Sequence, residues 1–337
     1  VKRYDTLDIM RGLALFGILL INIPAYETLF VTSDEAVMFP ETTTLDIWIS
    51  IIIEKKFFSI FSFLFGVGFF IFASRAEQKG RAPLSLFSKR LLFLLLFGIF
   101  HFFLFFGSIL PIYAVIGFFL LPFYRRSTKT IASWIIVLLA FQSLGLIFQL
   151  WFPSINGWVV GDMLVIFIMF LTGLYVGKKG WLEPTEKMQR LWTRVVLILL
   201  PVALLGGVLT YSAASTENGL SHLVALFAIP TAYAYIALFF LLFNDATRAK
   251  RWTPIGAVGK MAFTNYFMQN LLGVALIKLF QLQTVTSREA LWLAVIIYVI
   301  EVIWSVLYFK KFRIGPLEWI WRKFTYGFRS NAYGSYR

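Results

Sequence analysis

Ten apolar stretches, each of about 15–22 residues and so near the length an α-helix needs to cross a bilayer, recur along this 337-residue chain. They occupy residues 12–30, 57–73, 91–106, 109–123, 131–152, 158–177, 195–211, 223–243, 262–280 and 291–309. Hydrophobic residues make up 59% of the chain and charged residues 14%, well below the charged share of about 25% in soluble domains. Soluble folds are thereby excluded, and an all-α polytopic integral membrane protein of about ten transmembrane helices is expected. The third and fourth stretches are short and separated only by Gly107 and Ser108, which predicts a tight helical hairpin. The first begins after basic residues, as a signal peptide would. No small-x-small cleavage site follows its long apolar run, so it is read as a retained helix.

The net charge of +14 does not point to nucleic acid, because basic residues alternate with the apolar stretches instead of clustering on one module. They set topology. With the N-terminus cytoplasmic, all of the 31 Lys and Arg residues except Lys55, Lys56, Lys278 and Arg288 fall on inner segments, which predicts a multi-pass cell-membrane protein with both termini cytoplasmic. Residues 1–309 read as one transmembrane domain. Its outer loop, 31–56, carries Asp34, Glu35, Glu41, Asp46 and Glu54, and the TLDIWISIII stretch within it predicts a helix lying along the interface. Residues 310–337 read as a basic, aromatic cytoplasmic tail: Lys310, Lys311, Arg313, Arg322, Lys323 and Arg329 accompany Trp319, Trp321, Phe324 and Tyr326, a composition suited to anionic lipid. With no cysteine and two histidines, disulfides, thiolate metal sites and a cysteine nucleophile are excluded, and no metal is expected. The lipid bilayer is the partner that composition requires; it says nothing of oligomeric state.

Polar residues inside the apolar stretches are the candidates for chemistry. In LDIMRGLALFGILLIN (7–22), Asp8 and Arg11 lie about one helical turn apart and Asn22 about three turns further, so the three share a stripe. That stripe could anchor the helix at the inner headgroups, or form a polar wall running inward. His101 follows Arg90 by eleven residues, about 16 Å of helix, which puts an imidazole near the bilayer midplane. It could be an interhelical hydrogen-bonding residue or, desolvated, a general base. Asn265, Tyr266 and Gln269 recur at helical spacing, with Lys260 at the inner edge. Glu301 lies within the last stretch, where a carboxylate is protonated, paired or exposed to a wet cavity, and where a proton-coupled transporter would use it. Asp162 and Glu27 near outer helix ends read as solvated groups, and His222 as an interfacial residue. Gly12, Ala14 and Gly17, the pair Gly66 and Gly68, and the pair Gly173 and Gly177 read as surfaces for close helix packing.

Several of these segments carry a resemblance. RYDTLDIMRGLALFGILLIN (3–22), EKKFFSIFSFLFGVGF from Glu54, HFFLFFGSILPIYAVIGF from His101, VGKMAFTNY ending at Tyr266 and GPLEWIWRKFTYG from Gly315 together resemble the YeiB-like family, also called domain of unknown function 418. The start motif LD-x-x-RG also resembles transmembrane acyltransferases of the heparan glucosaminide N-acetyltransferase and acyltransferase 3 types. That resemblance implies acyl-CoA delivered from the cytoplasm as cosubstrate, a membrane-embedded catalytic histidine, and a sugar or glycan acceptor on the far side. Asp8 and Arg11 match the start motif, and His101 is the histidine placed to act. Arg11, with Arg90 or Lys260, would neutralise CoA phosphates, while Asn265, Tyr266 or Asn22 would donate to a developing oxyanion. Relatives commonly read Gly-Asp-Ile-Leu after the histidine helix where this chain reads Gly107-Ser108-Ile109-Leu110. An acid paired with the histidine elsewhere is thus absent here or supplied by another residue such as Asp162. The resulting expectation is transfer of an acyl group to a hydroxyl of an envelope glycan or lipid-linked acceptor. A proton-coupled transporter or flippase using His101 and Glu301, and a non-catalytic scaffold, remain the alternatives.

Overall fold

The computed structural model describes residues 5–29, 43–105, 107–151, 161–214 and 219–327. Asp34, Glu35 and Glu41 of the outer loop, the side chain of Glu27, and Arg329 with the end of the tail lie outside the described residues. All described elements are helical. The chain runs through α1 (Asp5–Asn22) into a 3-10 turn (Ile23–Leu29), then α2 (Thr44–Ile52), α3 (Lys56–Gln78), α4 (Pro83–Leu104) and α5 (Leu110–Leu120), which a second 3-10 turn (Leu121–Arg125) extends. It continues with α6 (Thr128–Trp151), α7 (Asp162–Lys178), α8 (Glu186–Ser212), α9 (Gly219–Phe243), α10 (Ala246–Arg251), α11 (Thr253–Lys260), α12 (Ala262–Leu279), α13 (Ser287–Lys311) and α14 (Pro316–Tyr326).

Among the described residues, seven helical segments, within 5–26, 44–78, 83–104, 128–149, 186–212, 222–243 and 287–311, are long and apolar enough to cross a membrane. The chain is a polytopic membrane protein. The other three expected stretches also fold as helices, but they differ from a plain span for physical reasons. α5 and α7 are short, at 11 and 17 residues, and α12 carries Thr264, Asn265, Gln269, Asn270 and Lys278 along its 18 residues. The bundle's outer surface is hydrocarbon: Phe103, Leu197, Ile136 and Leu279 are all more than 60% exposed, a patchwork that water would penalise and lipid accepts.

Local signals set the helix boundaries. Thr43 and Asp46 form a reciprocal capping box at the start of α2, and Thr286 and Glu289 do the same for α13. Proline occupies the first turn of α4, α5, α11 and α14, where its missing N–H costs nothing. Lys55, with φ of 62°, breaks the chain between α2 and α3. Its ammonium lies 2.6 Å from Asp162, whose side chain stays half-exposed, so Asp162 is solvated and also paired.

α1 sits at the centre, packed on α3, α9, α11, α12 and α13. Its approach to α11 is a backbone contact: a methyl group on Gly12 would strike the Ile255 carbonyl, and one on Gly259 would strike the Asp8 carbonyl. α3 and α7 meet in the same way, with Gly66 against the Phe170 backbone and Gly173 against the Phe63 carbonyl. Gly17 and Gly177 accept the rings of Phe57 and Phe70. Gly68 differs from the expectation, since it faces open space and takes no part in packing. Gly259→Ala and Gly66→Ala should each lower stability by about 1–3 kcal/mol, the usual cost of forcing extra volume into a packed contact. Gly68→Ala, which meets no neighbour, should leave stability unchanged or raise it by up to about 1 kcal/mol through helix propensity; thermal unfolding midpoints in detergent give the comparison.

Candidate functional site: a buried polar centre on α12

Helical periodicity gives α12 two polar faces, because residues four apart stack on one side. Tyr266 and Asn270 form one face, turned toward the α4–α5 hairpin; Asn265 and Gln269 form the other, turned toward α13. His101, near the C-terminal end of α4, is fully buried. Its Nδ1 lies 2.8 Å from the Ser108 hydroxyl in the hairpin turn, and the Asn270 side-chain amide lies 2.5 Å from its Nε2. Two pairings satisfy these contacts: with the Asn270 NH2 toward Nε2, that nitrogen accepts and Nδ1–H donates to Ser108; with the amide oxygen toward it, Nε2–H donates and Nδ1 accepts from the Ser108 hydroxyl. The Tyr266 hydroxyl interacts with Ser108 and receives the Ile109 amide at 3.5 Å. The result is a hydroxyl–imidazole–amide arrangement extended by a phenol, walled by the rings of Phe97, Phe105 and Phe267.

On the other face, Gln269 donates to a Glu301 carboxyl oxygen at 2.9 Å, and Asn265 donates to the Ser305 hydroxyl at 3.0 Å and to the Val258 carbonyl at 3.1 Å. Glu301 and Ser305 are themselves four apart on α13, so two helices present matching rungs. Glu301 stands about 21 Å of helix from one end of α13 and about 15 Å from the other, well inside the span. Several polar atoms of this interior have no protein partner among the described residues: Asn270 Oδ1, Gln269 Oε1, Glu301 Oε1, Asn265 Oδ1 and the Tyr26 hydroxyl. Buried polar atoms are ordinarily paired. Four of these atoms are amide or carboxyl oxygens and one is a phenol, all on α12 or on elements packed against it.

The remaining candidates are placed elsewhere. Asn22 is half-buried at the end of α1 and makes no side-chain hydrogen bond to His101. Asn265 faces α13 and not the imidazole. Asp8 and Arg11 pair at 3.1 Å, and Arg11 also reaches the Gly259 carbonyl at 3.4 Å, so the pair helps seat α11. The Arg90 guanidinium lies between the Phe72 and Trp321 rings, 4.7 and 4.2 Å from their centroids, and the Trp321 indole donates to the Arg90 carbonyl. Arg90 thereby fastens α14 to α4. Lys260 rests over the Phe309 ring at 5.9 Å.

Sequence reasoning did not single out Asn270, Ser305 or Glu318. Asn270 stands four residues after Tyr266, the spacing that would have exposed it. Glu318 occupies the GPLEW motif, whose role emerges only in three dimensions. Its carboxylate accepts the Phe263 and Thr264 amides at 2.9 and 3.3 Å and the Thr264 hydroxyl at 2.7 Å, closing the N-terminus of α12 from outside. Burial pushes the Glu318 carboxyl above the ordinary carboxylate range, against the downward pull of the Thr264 hydroxyl and the amides.

A relative from Bacillus acidopullulyticus, described as an uncharacterized 39.9 kDa protein in the amylase 3' region, is 32% identical over 96% of this chain and 94% of its own. The family profile described as "Protein of unknown function (DUF418)" matches residues 176–328. This chain belongs to the DUF418 family. Two further relatives of this DUF418 protein are the uncharacterized protein YxaH of Bacillus subtilis (strain 168), 28% identical, and the uncharacterized protein YeiB of Escherichia coli (strain K12), 27% identical. Each comparison covers 96% of this chain, with 94% of YxaH and 97% of YeiB. The DUF418 profile takes in α12 and α13 with Glu318, while His101 and Ser108 fall outside it and are reached only by the full-length relatives.

Two measurements probe the centre. Glu318→Ala leaves three donors unmatched at the start of α12 and should cost about 1–3 kcal/mol in unfolding experiments. Glu318→Gln, which keeps an acceptor without a buried charge, should stay closer to wild type. Nitrogen-15 histidine spectra, simplified by the presence of only two histidines, should show one ring as a single neutral tautomer whose signals move in Ser108→Ala and Asn270→Ala but not in Asn22→Ala.

Proposed function

We propose that this DUF418 protein is a transmembrane acyltransferase, moving an acyl group from cytosolic acyl-CoA to a hydroxyl of an envelope glycan or lipid-linked acceptor. The observation that carries the reading is the 2.8 Å contact between the His101 ring and the Ser108 hydroxyl inside the bundle: a hydroxyl can lie within hydrogen-bond reach of a ring nitrogen there. In this reading α5, α7 and α12 complete ten crossings, and both termini are cytoplasmic. Arg11 and Arg90 then stand on the side that supplies CoA, Arg11 already paired with Asp8 and Arg90 held between Phe72 and Trp321, so a CoA phosphate would have to compete for either cation.

The acceptor hydroxyl takes the hydrogen-bonding place at the ring. Its oxygen attacks the thioester carbonyl while its proton passes to an imidazole nitrogen; the C–O bond forms, the C–S bond breaks, and the proton leaves with the CoA thiolate. Of the three donors expected at the oxyanion, Tyr266 is the one beside His101, and the Asn270 amide joins it. Tautomer choice is set by Asn270, because turning its amide to present oxygen would place the ring proton on Nε2 and free Nδ1 to accept from a hydroxyl.

A second reading has its own observation. Glu301 is a mid-span carboxyl with one oxygen paired to Gln269 and the other unpaired, a group that a proton-coupled transporter or flippase could load and unload. Free-thiol release from acetyl-CoA and longer acyl-CoAs separates the two. The chain contains no cysteine, so a thiol-reactive dye reports only liberated CoA. Wild type should release CoA, and His101→Ala should lose about 100-fold or more of that rate, in line with removal of a general base. Absence of release and of acyl-CoA binding in folded protein supplied with envelope lipids would reject acyl transfer and direct attention to Glu301→Gln in a transport assay.

A further inference from the structure

α14 stands at the end of the bundle where α13 finishes and α12 begins, packed on α4 and α12. Residues four apart divide its surface into three stripes. Leu317, Trp321 and Thr325 turn inward: Leu317 and Trp321 pack against the core, and Thr325 is buried. Ile320 and Phe324, both exposed, form a second stripe, and the Phe324 ring also meets that of Phe93 on α4 at 5.3 Å. Trp319 and Lys323 form the third, with the ammonium 3.9 Å from the centre of the indole ring.

Two observations identify what meets the outer stripes. The apolar stripe is not isolated: Leu96 and Phe100, three and seven residues beyond Phe93 and so on its side of α4, are exposed. Through Phe93, Ile320 and Phe324 therefore continue the hydrocarbon-facing surface of the bundle. Cations border them. From residue 310 to 326 the chain carries Lys310, Lys311, Arg313, Arg322 and Lys323 but a single carboxylate, Glu318, which is committed to the first amides of α12. Lys310, Lys311, Arg313 and Arg322 are exposed. A soluble acidic partner would account for the cations, but not for an apolar stripe that runs on into the lipid-facing surface. An anionic leaflet accounts for both.

We propose that α14 is an interfacial anchor that enriches anionic phospholipid in the adjoining leaflet, with Ile320 and Phe324 among the acyl chains and Lys323, Arg322 and the cations at the end of α13 beside the headgroup phosphates. Lys323 spans the boundary between the two zones, its ammonium held over Trp319, an indole of the kind that settles at headgroup depth. Within the basic tail the structure thus selects two stripes of one helix for lipid and gives the third to α4 and α12. This inference does not depend on the chemistry assigned to His101.

Because the chain contains no cysteine, Ile320→Cys carries a single fluorescent dye. In nanodiscs that mix phosphatidylcholine with phosphatidylglycerol, one lipid or the other bears a nitroxide quencher on its acyl chain. The phosphatidylglycerol quencher should act on this dye at about fivefold lower mole fraction than the phosphatidylcholine quencher, the worth of one cation near an anionic surface, and added salt should narrow the gap. A dye at Leu205→Cys, on the exposed side of α8, should be quenched equally by both. Placing Arg322→Gln and Lys323→Gln in the Ile320→Cys chain should reduce the preference at least twofold. The proposal is overturned by equal quenching of the dye at position 320, by a preference unchanged in the glutamine variant, or by a dye that neither lipid reaches, which is the result expected of a soluble partner's site. Phe324→Cys supplies a second position on the same stripe should Ile320→Cys not fold.

Discussion

Where the backbones of α1 and α11 touch, at Gly12 and Gly259, the arrangement of the polar interior is decided. α11 is a short helix that ends at Lys260 against α1, and α12 starts just after it with its first amides held by Glu318. Arg11 reinforces the seat by reaching the Gly259 carbonyl, and Asn265 reaches back to the Val258 carbonyl at the break. Hydrophobic exclusion cannot hold helices together where lipid is as apolar as leucine. Close backbone approach and internal hydrogen bonds supply what it does not. Here both come together at one junction.

The helices were legible because each apolar stretch is long and its ends carry ordinary signals, such as the Thr43 and Thr286 capping boxes. Partnerships were less so. Helical spacing assigns a residue to a face of its own helix, without saying which neighbour lies opposite. Ser108 reads from sequence as the loss of a carboxylate, yet its hydroxyl bonds the imidazole directly, and the substitute considered for it, Asp162, is committed to Lys55. Arg90 looks like a phosphate ligand at an inner helix end; in space two aromatic planes from α3 and α14 take hold of it. Asn265 and Gln269 share a face as their spacing requires, but that face meets α13 and leaves His101 to Tyr266 and Asn270. Gly68 looks like part of a packing motif, although only Gly66 of that pair meets α7.

The two faces of α12 divide the interior into chemically different halves. One is built of neutral groups able to pass a proton along hydroxyls and an imidazole; the other holds a carboxyl paired through a single oxygen. Both keep unmatched atoms. Fully matched polar networks rigidify a core and specify one packing.

The cap made by Glu318 has a mechanical meaning. α14 is held on one side by the Arg90 sandwich and on the other grips the first turn of α12. From Thr264 to Asn270 is six residues, about 9 Å of rigid helix, so the C-terminal segment and the imidazole sit at opposite ends of one short lever. A tilt or twist imposed on α14 at the bundle surface would act on the first turn of α12, less than two helical turns from Asn270 and the imidazole it touches.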